Sequence, residues 1–265
     1  MLPPLNNLRH IIIAMRSVQI KGYGNNEVIE IIRNAPVPSD PSAADKVLVK
    51  IKAAGVNPAD WKMREGYFQE MIPIQFPSTL GFDFSGVVEK IGGSSVSLKQ
   101  GDEVYGQAGI INGSSGAFAE MALANVDGVV HKPKSLNHQE AAGLPTVGVS
   151  AWQGLVENIG LSKGQKILIH GGAGGIGSIA IPPAKHNGAY VSTTVNVNDK
   201  QFVQELGAEQ IIDYKSQKFE DLLHDYDTVF DTIGGDTYKR SFKVLKKGGI
   251  IISTLEQPNS ELMQQ

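Results

Sequence analysis

Five glycines fall between positions 171 and 177, in the run Lys166-Ile-Leu-Ile-His-Gly-Gly-Ala-Gly-Gly-Ile-Gly177. Gly172, Gly174 and Gly177 fit the spacing G-x-G-x-x-G. The chemistry this spacing serves is the binding of a pyrophosphate. An apolar strand delivers the chain to a turn, and missing Cβ atoms let a phosphate approach the backbone. The helix that follows offers unpaired N–H groups and the positive end of its dipole. Glycine supplies 30 of the 265 residues, so the spacing gains weight only from its order of strand, turn and helix. Ile167, Leu168 and Ile169 precede the turn, and an apolar helical pattern starts at Ile176.

A second position refines this. Folds that select NAD place Asp or Glu about 20 residues beyond the glycines, on the ribose 2′-hydroxyl. Here Asn196 stands 19 residues after Gly177, within Thr193-Thr194-Val195-Asn196, and the next carboxylate is Asp199. A carboxylate would repel a 2′-phosphate, whereas Thr194, Asn196 and the nearby cation of Lys200 suit one. The expected cofactor is therefore NADPH.

Other chemistries drop out. The chain has no cysteine, which excludes disulfides, thiol catalysis and Cys-ligated zinc. Its six histidines, at 10, 131, 138, 170, 186 and 224, show no i,i+4 pair. No metal site is expected, and each histidine is expected to be solvated or capping. No Ser-His-Asp set is evident. A net charge of -3 gives no reason to expect nucleic acid or an anionic membrane as partner. No apolar run nears the roughly 18 residues of a membrane span, and Ile11 to Met15 is short for a signal-peptide core of about 7–15. These readings favour a cytoplasmic protein.

The elements that must position these residues follow from periodicity. Residues 1–14 lack it and read as an extra arm, or as a translation start placed too early. Short strands are expected at 16–20, 28–32, 46–52, 104–105, 117–123 and 128–131, with more around Phe82 to Ile91, all punctuated by turn glycines. They predict a small β-barrel-like domain. Asn112-Gly113 opens a flexible loop. A helical stretch at 148–159 should bury Trp152, Leu155, Val156 and Ile159 along one face. Thereafter strands at 166–170, 190–195, 210–213, 228–232 and 250–254 alternate with helices at 175–187, 199–206, 219–224 and 237–245. That alternation predicts a parallel, doubly wound sheet. The expected domains are 1–145 and 146–265. Pro182-Pro183 should kink the helix after the glycines or end it early.

Several stretches, in order, resemble one family: AAGVNPADW (53–61), LGFDFSGVVEKIG (80–92), KQGDEVYG (99–106), GAFAEMA (116–122), AAGLPTVGVSAWQGL (141–155), KILIHGGAGGIGSIAI (166–181), LGAEQIIDY (206–214) and DTIGG (231–235). The chain is similar to the zinc-lacking quinone oxidoreductases, the zeta-crystallin-like branch of the medium-chain dehydrogenase/reductase superfamily. The resemblance implies an α/β protein with a GroES-like catalytic domain, a Rossmann domain, and NADPH in the cleft between them. Family chains continue for roughly 60 more residues and add a sixth Rossmann strand, so the resemblance implies truncation at the C-terminus. Zinc-dependent relatives have Cys at the position of Asn57 and Gly-His-Glu at Gly81-Phe82-Asp83.

The resemblance also implies roles. Asn57 and Asp60 lie in a loop facing the nicotinamide, and Lys62, or a water near Asn57 and Asp60, would polarise the substrate oxygen. Thr146 and Ser150 would meet the nicotinamide amide. Gly172, Ala173, Gly174, Gly175 and Ile176 would hold the pyrophosphate. Thr194, Asn196, Lys200 and Tyr214 would surround the 2′-phosphate. Gly234, Ser253 and Thr254 lie at strand ends, where α/β ligands bind. Trp61, Tyr67 and Phe68 would line a flat aromatic substrate pocket or pack in the core. The activity implied is reduction of quinones or α,β-unsaturated carbonyls by a homodimer. The alternative is a non-catalytic or truncated NADPH-binding protein of the same fold.

Overall fold

The computed structural model describes residues 14–38, 45–93, 97–110 and 113–258. The expectations for the arm at 1–13, for Asn112 and for the tail at 259–265 lie outside these. The chain divides into two units, Met1–Thr146 and Val147–Gln265.

The first unit carries β1 (Ala14–Ile20), β2 (Ile29–Pro36), β3 (Lys46–Gly55), α1 (Pro58–Arg64), β4 (Ser78–Thr79), β5 (Asp83–Ile91), β6 (Glu103–Gln107), β7 (Met121–Asn125), β8 (Val129–His131) and α2 (His138–Ala142). Two antiparallel sheets form among these strands, in the orders β2-β1-β4 and β7-β3-β5-β6-β8. The strand expected over 117–123 starts later, at Met121, with only Ala119 bridged to Ser17 before it. Val47, Val49, Phe84, Val88, Val104, Ala122, Ala124 and Val129 form one buried cluster. Alternation along antiparallel strands puts these side chains on one face. Asn57 precedes α1 in an extended conformation and Pro58 opens the helix, where its missing N–H costs nothing.

Helix α3 (Pro145–Trp152) leads into the second unit and continues as a π-helical stretch, Gln153–Asn158. This corrects the expected face. Leu155 and Ile159 are buried, but Trp152 is 58 % exposed. A wider turn, seen in the Ile159 N–H to Gly154 C=O bond at 3.1 Å, breaks the 3.6-residue phase on which the reading relied. Gly154 permits the approach to the sheet, since a Cβ there would lie 2.8 Å from the Phe230 ring.

The second unit then alternates: β9 (Lys166–His170), α4 (Gly175–His186), β10 (Tyr190–Val195), α5 (Lys200–Glu205), β11 (Gln210–Asp213), α6 (Phe219–Leu222), β12 (Tyr226–Asp231), α7 (Gly235–Ser241) and β13 (Leu245–Ser253). All pairings are parallel, in the order β11-β10-β9-β12-β13. The chain winds outward from β9 through β10 to β11, then returns to the other side of β9. Between β9 and β12 the winding reverses, and ligands of such sheets bind at the carboxyl ends there.

Pro182-Pro183 does not end α4, which runs on to His186. Gly177, Ala180, Ile181 and Ala184 form a buried stripe at i, i+3, i+4 and i+7, while Pro182 is exposed. Burial of that stripe against β9 and β10 outweighs two lost backbone bonds, whose carbonyls (Ser178 and Ile179, four residues back) water can serve. Lys185 and His186 in the last turn complement the dipole.

Candidate functional site

The expected site residues fall in both units. In the first unit, Asn57, Asp60, Asp83, Gln107 and Thr146 converge. Asp83 opens β5 and is 1 % exposed. Its Oδ2 accepts from Asn57 Nδ2 at 2.9 Å and from the Thr146 amide at 3.0 Å. Its Oδ1 accepts from the Thr146 hydroxyl at 2.7 Å and from Gln107 Nε2 at 3.4 Å. Gln107 Nε2 also donates to Thr146 Oγ1 at 2.9 Å. A buried carboxylate is tolerated on these terms, with each oxygen twice bonded.

Asp60 differs. Only 4 % exposed, it accepts at Oδ2 from the Asn57 amide at 2.6 Å, while its buried Oδ1 has no hydrogen-bond partner. Burial pushes its pKa up to about 6, the Asn57 amide opposes that, and the charge of Asp83 adds to it. A carboxyl that titrates near neutrality can hold a proton and release it. Lys62 is partly exposed, with Nζ 5.8 Å from the centre of the Trp61 ring. Trp61 and Tyr67 meet edge to face at 5.4 Å and are both exposed.

In the second unit the glycines behave unequally. A Cβ on Gly172 would lie 2.0 Å from Thr193 Oγ1, and one on Gly177 would lie 2.3 Å from the Gly171 carbonyl. These two glycines let strand, turn and helix pack together. A Cβ on Gly174 would meet only the Gly171 carbonyl, at 3.1 Å, and both Gly174 and Gly175 are exposed. The first-turn amides of α4, from Gly175 to Gly177, have no acceptor one turn back in the helix. Gly174, Gly175 and those amides fit a pyrophosphate, with Ala173 and Ile176 half-buried beside them.

The remaining expected contacts fall into two groups. Lys200 and Tyr214 are exposed, Tyr214 by 58 %, and Asn196 is half-buried with its Oδ1 accepting from the Asn198 amide at 3.2 Å. Ser150, on α3, is half-buried. Thr194 is different: it is buried, and its hydroxyl lies 3.0 Å from His170 Nδ1 and accepts from the Gly171 amide at 3.3 Å. The hydroxyl expected at the 2′-phosphate is thus engaged inside the sheet.

Gly234 and Ser253 are tied to a residue that sequence reasoning passed over. Asp231, fully buried at the end of β12, accepts from the Ile233 and Gly234 amides at 3.0 and 3.1 Å and from the Ser253 hydroxyl at 2.8 Å. Its carbonyl takes the Thr254 amide at 3.0 Å. In the sequence Asp83 reads only as a lost metal position, and neither Gln107 nor Asp231 stands out. The usable signal was a carboxylate at the end of an apolar strand, which needs donors once buried.

His170 is a further correction. It is fully buried, not solvated, with Nε2 2.9 Å from Ser241 Oγ and its ring edge-on to Phe219 at 4.6 Å. Ser241 Oγ donates to the Thr237 carbonyl at 2.7 Å, so it accepts from Nε2–H. Nδ1 then accepts from Thr194. The ring is the neutral Nε2–H tautomer, and burial pulls its pKa down to about 4.

The comparisons agree with this geometry. Residues 43–134 match the alcohol dehydrogenase GroES-like domain, and 175–254 match the zinc-binding dehydrogenase domain. A quinone oxidoreductase from Coxiella burnetii superposes with a TM-score of 0.83 at 32 % identity, over 94 % of this chain and 85 % of that one. The chain belongs to the quinone oxidoreductase branch of the medium-chain dehydrogenase/reductase superfamily. A tomato (Solanum lycopersicum) 2-methylene-furan-3-one reductase is 38 % identical over 90 % of this chain and 61 % of its own length. The chloroplastic NADPH-dependent alkenal/one oxidoreductase of Arabidopsis thaliana is 36 % identical over 90 % and 62 %. The chain thus spans 61–62 % of the length of these two relatives.

Despite the zinc-binding domain match, no group of three or more His, Cys, Asp or Glu residues that could hold a metal occurs among the described residues. No described helix is long and apolar enough to cross a membrane. The chloroplastic relative does not support a cytoplasmic location.

Proposed function

We propose that this chain is an NADPH-dependent, zinc-independent oxidoreductase that reduces quinones or α,β-unsaturated carbonyls. The observation that carries the reading is the open turn at Gly174–Gly175 on the N-terminus of α4, with Asn196 just past the end of β10 and exposed Lys200 at the start of α5 in place of a carboxylate. The turn suits a pyrophosphate and the second feature a 2′-phosphate, with Tyr214 beside it. The names of the tomato and Arabidopsis relatives point to the same substrate class.

Reduced nicotinamide, when bound, supplies the hydride. The chain's own residues bind and orient. Ser150 is proposed to meet the carboxamide end, with Gly234, Ser253 and Thr254 of the same unit at the strand ends where ligands of such sheets bind. Asn57, Asp60 and Lys62 serve the substrate oxygen, where Asp60 can hold the proton that must accompany a hydride. Metal chemistry has no place at Asn57 and Asp83, because no cysteine exists and both Asp83 oxygens are taken by N–H and O–H donors. The working assembly is proposed to be a homodimer, which sedimentation would test.

The test is titration of NADPH and NADH by fluorescence, then NADPH oxidation with a small quinone and a short enone. NADPH should bind at least ~10-fold more tightly than NADH, and Asn196→Asp should reverse that order. Binding without turnover of either substrate class would leave a non-catalytic NADPH-binding protein. No binding would end both readings.

A further inference from the structure

We infer that Asp83 is the positioning residue of the first unit's cluster, fixing Asn57 and Thr146 through one carboxylate. Four donors from three segments end on its two oxygens: Asn57 before α1, Gln107 at the end of β6, and Thr146 in the first turn of α3. The position is rigid for chemical reasons. Asn57 Nδ2, the Thr146 amide and Gln107 Nε2 can only donate, and a carboxylate accepts from all of them. That fixes the Asn57 amide with Nδ2 toward Asp83.

The Thr146 hydroxyl has its direction set as well. Its oxygen receives Gln107 Nε2 at 2.9 Å, and its proton goes to Asp83 Oδ1 at 2.7 Å. The Thr146 amide, a first-turn amide with no acceptor one turn back in α3, is given one by Asp83 at 3.0 Å. A negative side chain at that helix end is also favoured by the dipole. Asp83 thus caps α3 from a distance in sequence while holding the loop before α1. Strand β5 supplies the anchor, since neighbouring Phe84 and Ser85 are fully buried.

The same donor inventory predicts how substitutions differ. In Asp83→Asn, the amide oxygen can keep the place of Oδ2, facing the Asn57 and Thr146 N–H donors, and the new NH2 can face Thr146 Oγ1, which can rotate to accept, while Gln107 Nε2 gives up its 3.4 Å bond to position 83 and keeps the one to Thr146 Oγ1 at 2.9 Å. In Asp83→Ala, the Asn57 and Thr146 N–H groups both lose their acceptor.

The test has two arms. Amide hydrogen exchange at Thr146 in the ligand-free protein should be at least ~10-fold faster in D83A and near wild type in D83N. Unchanged exchange in D83A overturns the inference, whatever the protein's activity. The second arm rests on the reductase reading. In folded D83A, kcat for the quinone should fall ~10- to 100-fold with KM within about threefold, and D83N should recover most of it. Loss of stability with kcat unchanged overturns the positioning role.

If D83A does not fold, a D83N/T146V cycle decides, because the new NH2 of D83N depends on Thr146 Oγ1 as its acceptor: D83N should be near wild type alone and lower kcat in the T146V background, and additive effects overturn the assignment. A wild type that turns over no substrate ends the reductase reading and leaves the exchange arm to judge Asp83, with D83N/T146V coupling then read from stability.

Discussion

Lowering the pH from 7 to 5 should destabilise the second unit through one residue, His170. Its ring is fully buried between Thr194 and Ser241, and burial pulls its pKa from 6.5 to about 4. Asp231 and Glu220 raise that pKa and Arg240 lowers it, but all three act less than burial. Because the folded pKa lies below the unfolded one, the unfolded chain binds more protons between them. The stabilisation is complete above about 6.5 and is lost as pH falls toward about 4. With those two values, linkage gives a loss of about 2 kcal/mol between pH 7 and pH 5. Geometry sets the same sign: a proton on Nδ1 would face the Thr194 hydroxyl that now donates to it.

The control is His170→Phe, which cannot titrate and leaves partners to both hydroxyls, the Gly171 amide at Thr194 and the Thr237 carbonyl at Ser241. Urea unfolding at pH 7 and pH 5 would be followed by Trp152 fluorescence in a Trp61→Phe background, so that the signal comes from the second unit. The wild type should lose about 2 kcal/mol and His170→Phe less than about 0.5. Equal losses in the two proteins would refute the assignment of the acid sensitivity to this ring.

Asp60 should act with the opposite sign in the first unit. Its folded pKa of about 6 lies above the ordinary carboxylate value of 3.8, so its stabilisation is present below 3.8 and lost as pH rises through about 6. Asp60→Asn should therefore flatten that slope and raise the thermal midpoint at pH 7, and a lower midpoint there counts against an ionised, half-satisfied carboxylate. Gly177→Ala should cost about 1–3 kcal/mol through its 2.3 Å approach to the Gly171 carbonyl. Gly174→Ala should leave the midpoint within a few degrees but weaken NADPH at least ~10-fold, and intact NADPH affinity would remove Gly174 from the phosphate site. Restoring backbone bonds with Pro182→Ala and Pro183→Ala should stabilise by about 1–3 kcal/mol, measured by thermal unfolding. No gain would mean that the chain stiffness contributed by the prolines offsets the missing bonds.

What was legible in the sequence was whatever repeats with a period or breaks with a glycine. Strands β10 and β11 match their expected bounds, and five parallel strands follow from alternation alone, though their order does not. Trp152 and the end of α4 were misread for one reason: a local rule was applied where packing decides. A π-helical turn shifts phase only when something holds it, here Gly154 against Phe230, and prolines end a helix only when its other face has nothing to bury. The burial of His170 and of the Thr194 hydroxyl has one shared reason, since each is the other's partner across neighbouring strands 24 positions apart. Pairing at that separation is set by sheet register, which the sequence does not display residue by residue.

The two clusters share a construction that separates holding from binding. In each, a carboxylate at a strand end is saturated by donors from adjoining segments: Asp83 by Asn57, Gln107 and Thr146, and Asp231 by Ile233, Gly234 and Ser253. Neither has capacity left for a ligand. The groups that remain open lie beside them: Asp60 Oδ1 in the first unit, and the Gly174–Gly175 turn in the second. A residue that has spent its hydrogen bonds cannot change partners during a reaction, and one that has not is unstable until something binds or titrates there. On the proposed reductase reading, the asymmetry ranks Asp60 above Asn57 as the group that changes state. It also explains why sequence reading found the open residues more readily than their supports. Polar residues in loops stand out, whereas a carboxylate inside an apolar strand is recognised only when its donors are known.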